Sequence, residues 1–235
     1  MDSNQKYFQY FTFGLGRIID KILYQKRREI FECFITEMSP TEKDTVLDIG
    51  VSDEDHPSSN LLEKLYPYTN RITAVGIHDF NHLEEVYPGL TFVLADGRNL
   101  PFADNSFDYV YSHAVLEHTG SRNSQLVFLA EAFRVAIKGV FITTPNRSHP
   151  VEFHTAIPLL HYLPHNWYRK IYSLLGKKFY AQEENLNLLT AKDLLNLGCR
   201  LQSRGVKIKL RDTKFLFFSA NLILIMKNCD RCGLG

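Results

Sequence analysis

An apolar tetrad, Val46 to Ile49, carries a single carboxylate, Asp48, and stops at Gly50. A run of that length closed by a breaker is a buried strand. Asp48 is costly inside a core unless it is hydrogen-bonded, so the spacing predicts that it faces a polar pocket at the strand tip. Gly50 lets the backbone turn sharply and lets a neighbour come close. Beyond the acidic loop Val51-Ser52-Asp53-Glu54-Asp55, Ser58-Ser59-Asn60 is predicted to cap a helix over Leu61-Leu62-Glu63-Lys64-Leu65. Strand, glycine turn and helix form the ligand-binding corner of a doubly wound α/β sheet.

The chain then repeats this rhythm. Residues 71–77, 90–94 and 107–111 are apolar or alternating runs, each followed by polar residues: His78-Asp79, Asp96-Gly97-Arg98 and Ser112-His113. Ser121 is placed to cap a helix from Gln125 to Ala136, and Gly139 to Asn146 reads as a fifth strand closed by Pro145. Strands alternating with helices give a parallel sheet with right-handed crossovers. Thr190 should cap a further helix, and 206–210 with 215–226 form a hairpin joined through Arg211-Asp212-Thr213. The expected fold is α/β, doubly wound, with a mainly parallel seven-stranded sheet and a C-terminal antiparallel pair.

Residues 1–40 are expected to form an N-terminal helical cap. Ile18, Ile19, Ile22, Leu23, Ile30, Phe34 and Ile35 recur at helical spacing, with Lys21, Lys26, Arg27 and Arg28 assigned to the other face. Such a helix covers a sheet edge or an active site, and it can also rest on a membrane surface as a peripheral contact. Residues 41–235 form the main domain, with 147–185 as a lid or insertion holding His149, His154, His161 and His165 among aromatic residues.

A chain of 235 residues can bury a sizeable core. Lys+Arg 27 against Asp+Glu 26 leaves +1, so no global charge marks a nucleic-acid partner. No signal-peptide pattern and no run of membrane-spanning length is present, which predicts a cytoplasmic location. Cys33, Cys199, Cys229 and Cys232 are too scattered for a disulfide framework, and Cys229 with Cys232 lacks the second pair of a zinc site.

From Val46 to Pro145 the chain resembles the class I S-adenosylmethionine-dependent methyltransferases of the type 11 kind. The resemblance rests on Asp48-Ile49-Gly50, on Ala95-Asp96-Gly97-Arg98-Asn99-Leu100-Pro101-Phe102, and most specifically on Phe107-Asp108-Tyr109-Val110-Tyr111 running into Ser112-His113-Ala114-Val115-Leu116-Glu117-His118. It implies S-adenosylmethionine as cofactor, held by Asp48, Gly50 and Ser52 at the first strand tip, and by His78 and Asp79 at the second. At the third tip it implies Asp96, Gly97 and Arg98, and at the fourth Ser112. The family's first motif has two or three glycines; here Gly50 stands alone before three carboxylates, which would attract the cofactor's ammonium and sulfonium and repel its carboxylate.

The resemblance implies methyl transfer to a hydroxyl or other nucleophile of a small molecule or glycan, with a base nearby if the acceptor is a hydroxyl. His113, His149 and His154 are the assigned catalytic residues, with His118 and Glu152 as further bases in reach. His149, Glu152 and His154 are metal-donor types, but without a further ligand at a defined spacing the sequence assigns no metal. A non-catalytic binding protein on the same fold is the alternative. A nicotinamide enzyme is disfavoured, because no Gly-x-Gly-x-x-Gly follows the first strand.

Overall fold

The computed structural model describes residues 16–201 and 205–228, with side chains from Asp20 onward. Residues 1–15 of the expected cap, and Cys229 with Cys232, lie outside the described residues. Seven strands form one sheet: β1 (Val46–Ile49), β2 (Ile72–Gly76), β3 (Thr91–Leu94), β4 (Phe107–His113), β5 (Ala136–Pro145), β6 (Val206–Phe215) and β7 (Phe218–Asn228). Their order is β3-β2-β1-β4-β5-β7-β6, with β1 to β5 parallel and β7 antiparallel to both β5 and β6. β1 sits between β2 and β4 and is buried along its whole length, as a strand covered on both faces must be.

The helices α1 (Gly16–Met38), α2 (Leu61–Leu65) and α3 (Leu83–Val86) contribute to the core on one face of the sheet. α4 (Arg122–Val135) and α6 (Ala191–Arg200) cover the other. Phe34 of α1 anchors the first core. Its ring meets Tyr111 at 5.2 Å, Phe141 at 5.5 Å and Tyr109 at 6.5 Å, all edge to face, a geometry aromatic quadrupoles favour. Ser121 caps α4 by accepting the Ser124 N–H, and Thr190 with Asp193 forms a reciprocal capping box on α6, as their positions predict.

Three local expectations are corrected. Asn60 precedes α2 in a left-handed conformation and makes no side-chain cap; its amide clamps Ser52 instead, accepting the Ser52 N–H at 3.1 Å and donating to the Ser52 carbonyl at 2.6 Å. Arg27 belongs to the inner stripe of α1 with Ile30, Phe34 and Met38 rather than to the solvent face, and it donates to the Ser58 carbonyl at 2.8 Å. The hairpin does not turn at Arg211-Asp212-Thr213: β6 runs through them and reverses at Leu216-Phe217, both at positive φ.

Between β5 and α6 the chain builds a small annex around α5 (His165–Leu174), with its own core of Tyr168, Tyr172, Leu186 and Leu188. No described helix is long and apolar enough to cross a membrane.

Candidate functional site

A cavity of about 390 Å³ opens at the carboxyl ends of β1 and β4. Asp48 comes from β1 and Gly50 from the turn after it, Tyr111 and His113 from β4, Leu61 to Glu63 from α2, and Arg27 from α1. His118 follows β4, and His154 reaches in from the annex.

Asp48 faces a second carboxyl, Glu63, and both are buried. Burial pushes both carboxyls up, and the neighbouring Glu63 charge pushes Asp48 further, so the pair favours holding a proton. Tyr111 alongside is raised by burial and by the two acids, while burial lowers the Arg27 guanidinium against the pull of Glu54. Gly50, at φ +105°, has no space for a side chain: a Cβ there would come within 2.1 Å of Val115. Ser52 is fixed by Asn60 through its backbone, and its hydroxyl accepts the Glu54 N–H at 3.1 Å.

His113 Nδ1 lies 2.7 Å from the Thr143 hydroxyl. Burial, with the Arg27 charge adding to it, pushes this imidazole down to about 3, so it is neutral at physiological pH. The next residue, Ala114, turns the chain at φ 55°, a left-handed conformation costly for a residue with a Cβ. Ser112 points away from the cavity region into the sheet, fully buried, donating to the Ile49 carbonyl at 2.7 Å and tying β4 to β1.

The remaining assigned cofactor residues stand on the neighbouring strand tips. His78 and Asp79 follow β2 and are exposed, with Asp79 accepting the Asn81 N–H. Asp96, after β3, is gripped by Arg98 at 2.6 Å and also accepts the Arg98 N–H at 2.8 Å. The Arg98 hydrogen bonds hold this carboxyl below its usual range against burial. Gly97 is required by packing, since a Cβ would meet Phe128 at 2.5 Å and Ile49 at 2.7 Å.

The assigned bases separate. His149 is buried outside the cavity lining, stacked on Phe153 at 4.7 Å with Nδ1 against the Val151 carbonyl. His154 lines the cavity, 3.2 Å from His118 through the two Nε2 atoms. Its Nδ1 meets Glu152 at 2.6 Å. Burial lowers His118; it acts the same way on His154, where Glu152 outweighs it and raises the imidazole. Glu152 is held down to about 2 despite its burial, by His154 and by bonds from Thr155 and the His154 backbone.

Sequence reasoning missed Arg27, Glu63 and Tyr111 as cavity residues. A signal existed for Arg27, four residues before Phe31 and seven before Phe34 on the inward stripe. For Glu63 there was only a carboxylate between leucines, which a short helix also shows on a solvent face.

A family model described as a methyltransferase domain matches residues 59–143, beginning after β1 and Gly50. No curated protein matches the chain. Among solved structures, an S-adenosylmethionine-dependent methyltransferase from Methanosarcina mazei aligns with TM-score 0.53 and 18% identity, over 83% of this chain and 96% of that one. One from Thermotoga maritima, described as a possible histamine N-methyltransferase, gives 0.56 and 13% over 96% and 97%. Magnesium protoporphyrin IX methyltransferase from Synechocystis, with bound S-adenosylhomocysteine, gives 0.53 and 13% over 86% and 83%. At these identities the likeness speaks for the fold. The methyltransferase-domain match thus runs from the residues before α2 into β5, about a third of the chain, and the sheet has the fold of S-adenosylmethionine-dependent methyltransferases.

Proposed function

We propose that the chain binds S-adenosylmethionine along the tips of β1 to β4 and methylates a hydroxyl or other nucleophile of a small molecule or glycan. The observation that carries this reading is the cavity at the ends of β1 and β4, where a parallel sheet places its ligands. The residues suit the cofactor chemically. Asp48 and Glu63 offer a buried acidic pair beside Gly50 for the amino-acid end, and Asp79 and Asp96 offer carboxylates on the next two tips for ribose and adenine. Bound there, the cofactor supplies an electrophilic methyl group.

The protein's own task is positioning. Methyl transfer needs an acceptor held at near-attack distance in a dry pocket. Residues 147–185 serve as the lid that selects it, bringing His154 to the cavity and presenting Tyr162 and Trp167 as exposed aromatic faces. Neutral His113 orients the acceptor by hydrogen bonding, while His149 supports the annex from outside.

Calorimetric titration with S-adenosylmethionine and S-adenosylhomocysteine tests the reading. Saturable heat is expected, with Asp96→Ala weakening binding by about 1–3 kcal/mol through the loss of a charged acceptor. No heat and no thermal shift at millimolar cofactor would overturn it. Binding without turnover across a broad acceptor set would make the chain a binding protein on this fold.

A further inference from the structure

Three donor atoms converge on one side of the cavity, and the hydrogen bonds behind them fix what each presents. His118 Nδ1 lies 2.6 Å from the Asn185 carbonyl oxygen, which only accepts, so Nδ1 carries the proton and Nε2 a lone pair. His154 Nδ1 lies 2.6 Å from the Glu152 carboxylate, with the same result. With both rings neutral, the two Nε2 lone pairs point at each other across 3.2 Å. Glu117 Oε1 lies 3.8 Å from one and 3.9 Å from the other. That oxygen is fully buried and has no hydrogen-bond partner, whereas Oε2 accepts the Thr144 hydroxyl at 2.9 Å.

Two facing lone pairs beside an orphaned carboxylate oxygen repel unless something positive lies among them. A triangle with sides 3.2, 3.8 and 3.9 Å has a point about 2.1 Å from every corner, within the roughly 2.0–2.2 Å that zinc takes to imidazole nitrogen and carboxylate oxygen. The charges also close: two carboxylates, Glu117 and Glu152, with two neutral imidazoles match one divalent ion. Carboxylate and carbonyl acceptors behind the Nδ1 atoms are what orients metal-binding histidines elsewhere.

We propose that Glu117 Oε1, His118 Nε2 and His154 Nε2 hold a divalent transition-metal cation, zinc foremost, with its remaining positions open to water or an acceptor oxygen. The sequence spacing grouped His154 with His149 and Glu152; the fold instead joins it to Glu117-His118, which lie 36 residues away from it at the closest imidazole pair. Glu152 is the positioning residue, fixing the His154 ring. His118 and His154 line the cavity, so an acceptor hydroxyl or carboxylate seated there would reach the ion. That last role rests on the methyl-transfer reading; metal binding does not.

The test uses the full chain without an affinity tag, stripped with chelator and titrated with Zn²⁺ in the absence of cofactor. One equivalent should bind, and Co²⁺ substitution should give the intense visible bands of a low-coordinate site. Glu117→Gln keeps an acceptor for Thr144, and His118→Ala removes the more exposed ring; each should weaken binding about tenfold or more. Far-UV circular dichroism and melting of the metal-free variants verify that both fold. No stoichiometric binding by the wild type would overturn the proposal and leave a proton shared between the imidazoles as what joins them. Unchanged affinity in both variants would overturn it too, placing the ion elsewhere. Neither result touches cofactor binding, which is measured separately.

Discussion

Asp48 and Glu63 make the cavity sensitive to proton activity. Burial raises both acids, so the native pair keeps a proton that the unfolded chain releases as pH passes about 4. Stability from this source is complete below that range and declines as pH climbs through the folded value. Asp48→Asn should lessen the decline, leaving only the part that buried Glu63 contributes: in urea melts the variant should gain on the wild type as pH rises from 4 toward 8. A constant gap would mean the pair shares no proton. His113 behaves differently. Pushed down to about 3 and set against Thr143, it is neutral across the physiological range and is a poor general base at neutral pH. In NMR its Cε1–H resonance should not titrate between about pH 5 and 8; a midpoint near the ordinary imidazole value of about 6.5 would restore it as the base.

At the scale of single elements, the β6–β7 hairpin turns on the wrong residues for its geometry. A two-residue reversal with both φ values positive is the province of Asn-Gly, yet Leu216 and Phe217 occupy it at 48° and 70°, with Phe217 almost wholly exposed. Leu216→Asn with Phe217→Gly should raise unfolding stability by about 1–2 kcal/mol in denaturant titrations, by relieving left-handed strain. A loss of stability would mean the two side chains pack on something. The same residues explain why the turn was misplaced from sequence: Arg211-Asp212-Thr213 is polar and turn-like, whereas Leu216-Phe217 looks like strand. Gly97 shows the converse. Its Asp-Gly string was legible, but the reason for the glycine, Phe128 of α4 closing over it, depends on a residue 31 positions away. Gly97→Ala should cost about 1–3 kcal/mol of stability by overpacking, read from its melting curve.

For the molecule as a whole, the layers were written in local patterns: Val46 to Ile49, the strand tips that follow, and the capped helices. The cavity was half legible. Asp48, Gly50 and His113 announce themselves at strand ends, whereas Arg27, Glu63 and His154 arrive from three other elements, and only packing says which way each faces. Glu117 and His118 were visible as a family string, but their convergence with His154 belongs to the fold. The sheet order has a further effect during synthesis. β7 lies inside the sheet, between β5 and β6, although it is the last of the seven strands to be made. About 80 residues separate the end of β5 from the end of β7, so at roughly 5–20 residues per second the apolar edge of β5 waits about 4–17 s for its partner. Through that interval Val140, Phe141 and Ile142 of β5 lack the strand that pairs with them in the finished sheet, an unpaired edge of the kind that invites association with another chain.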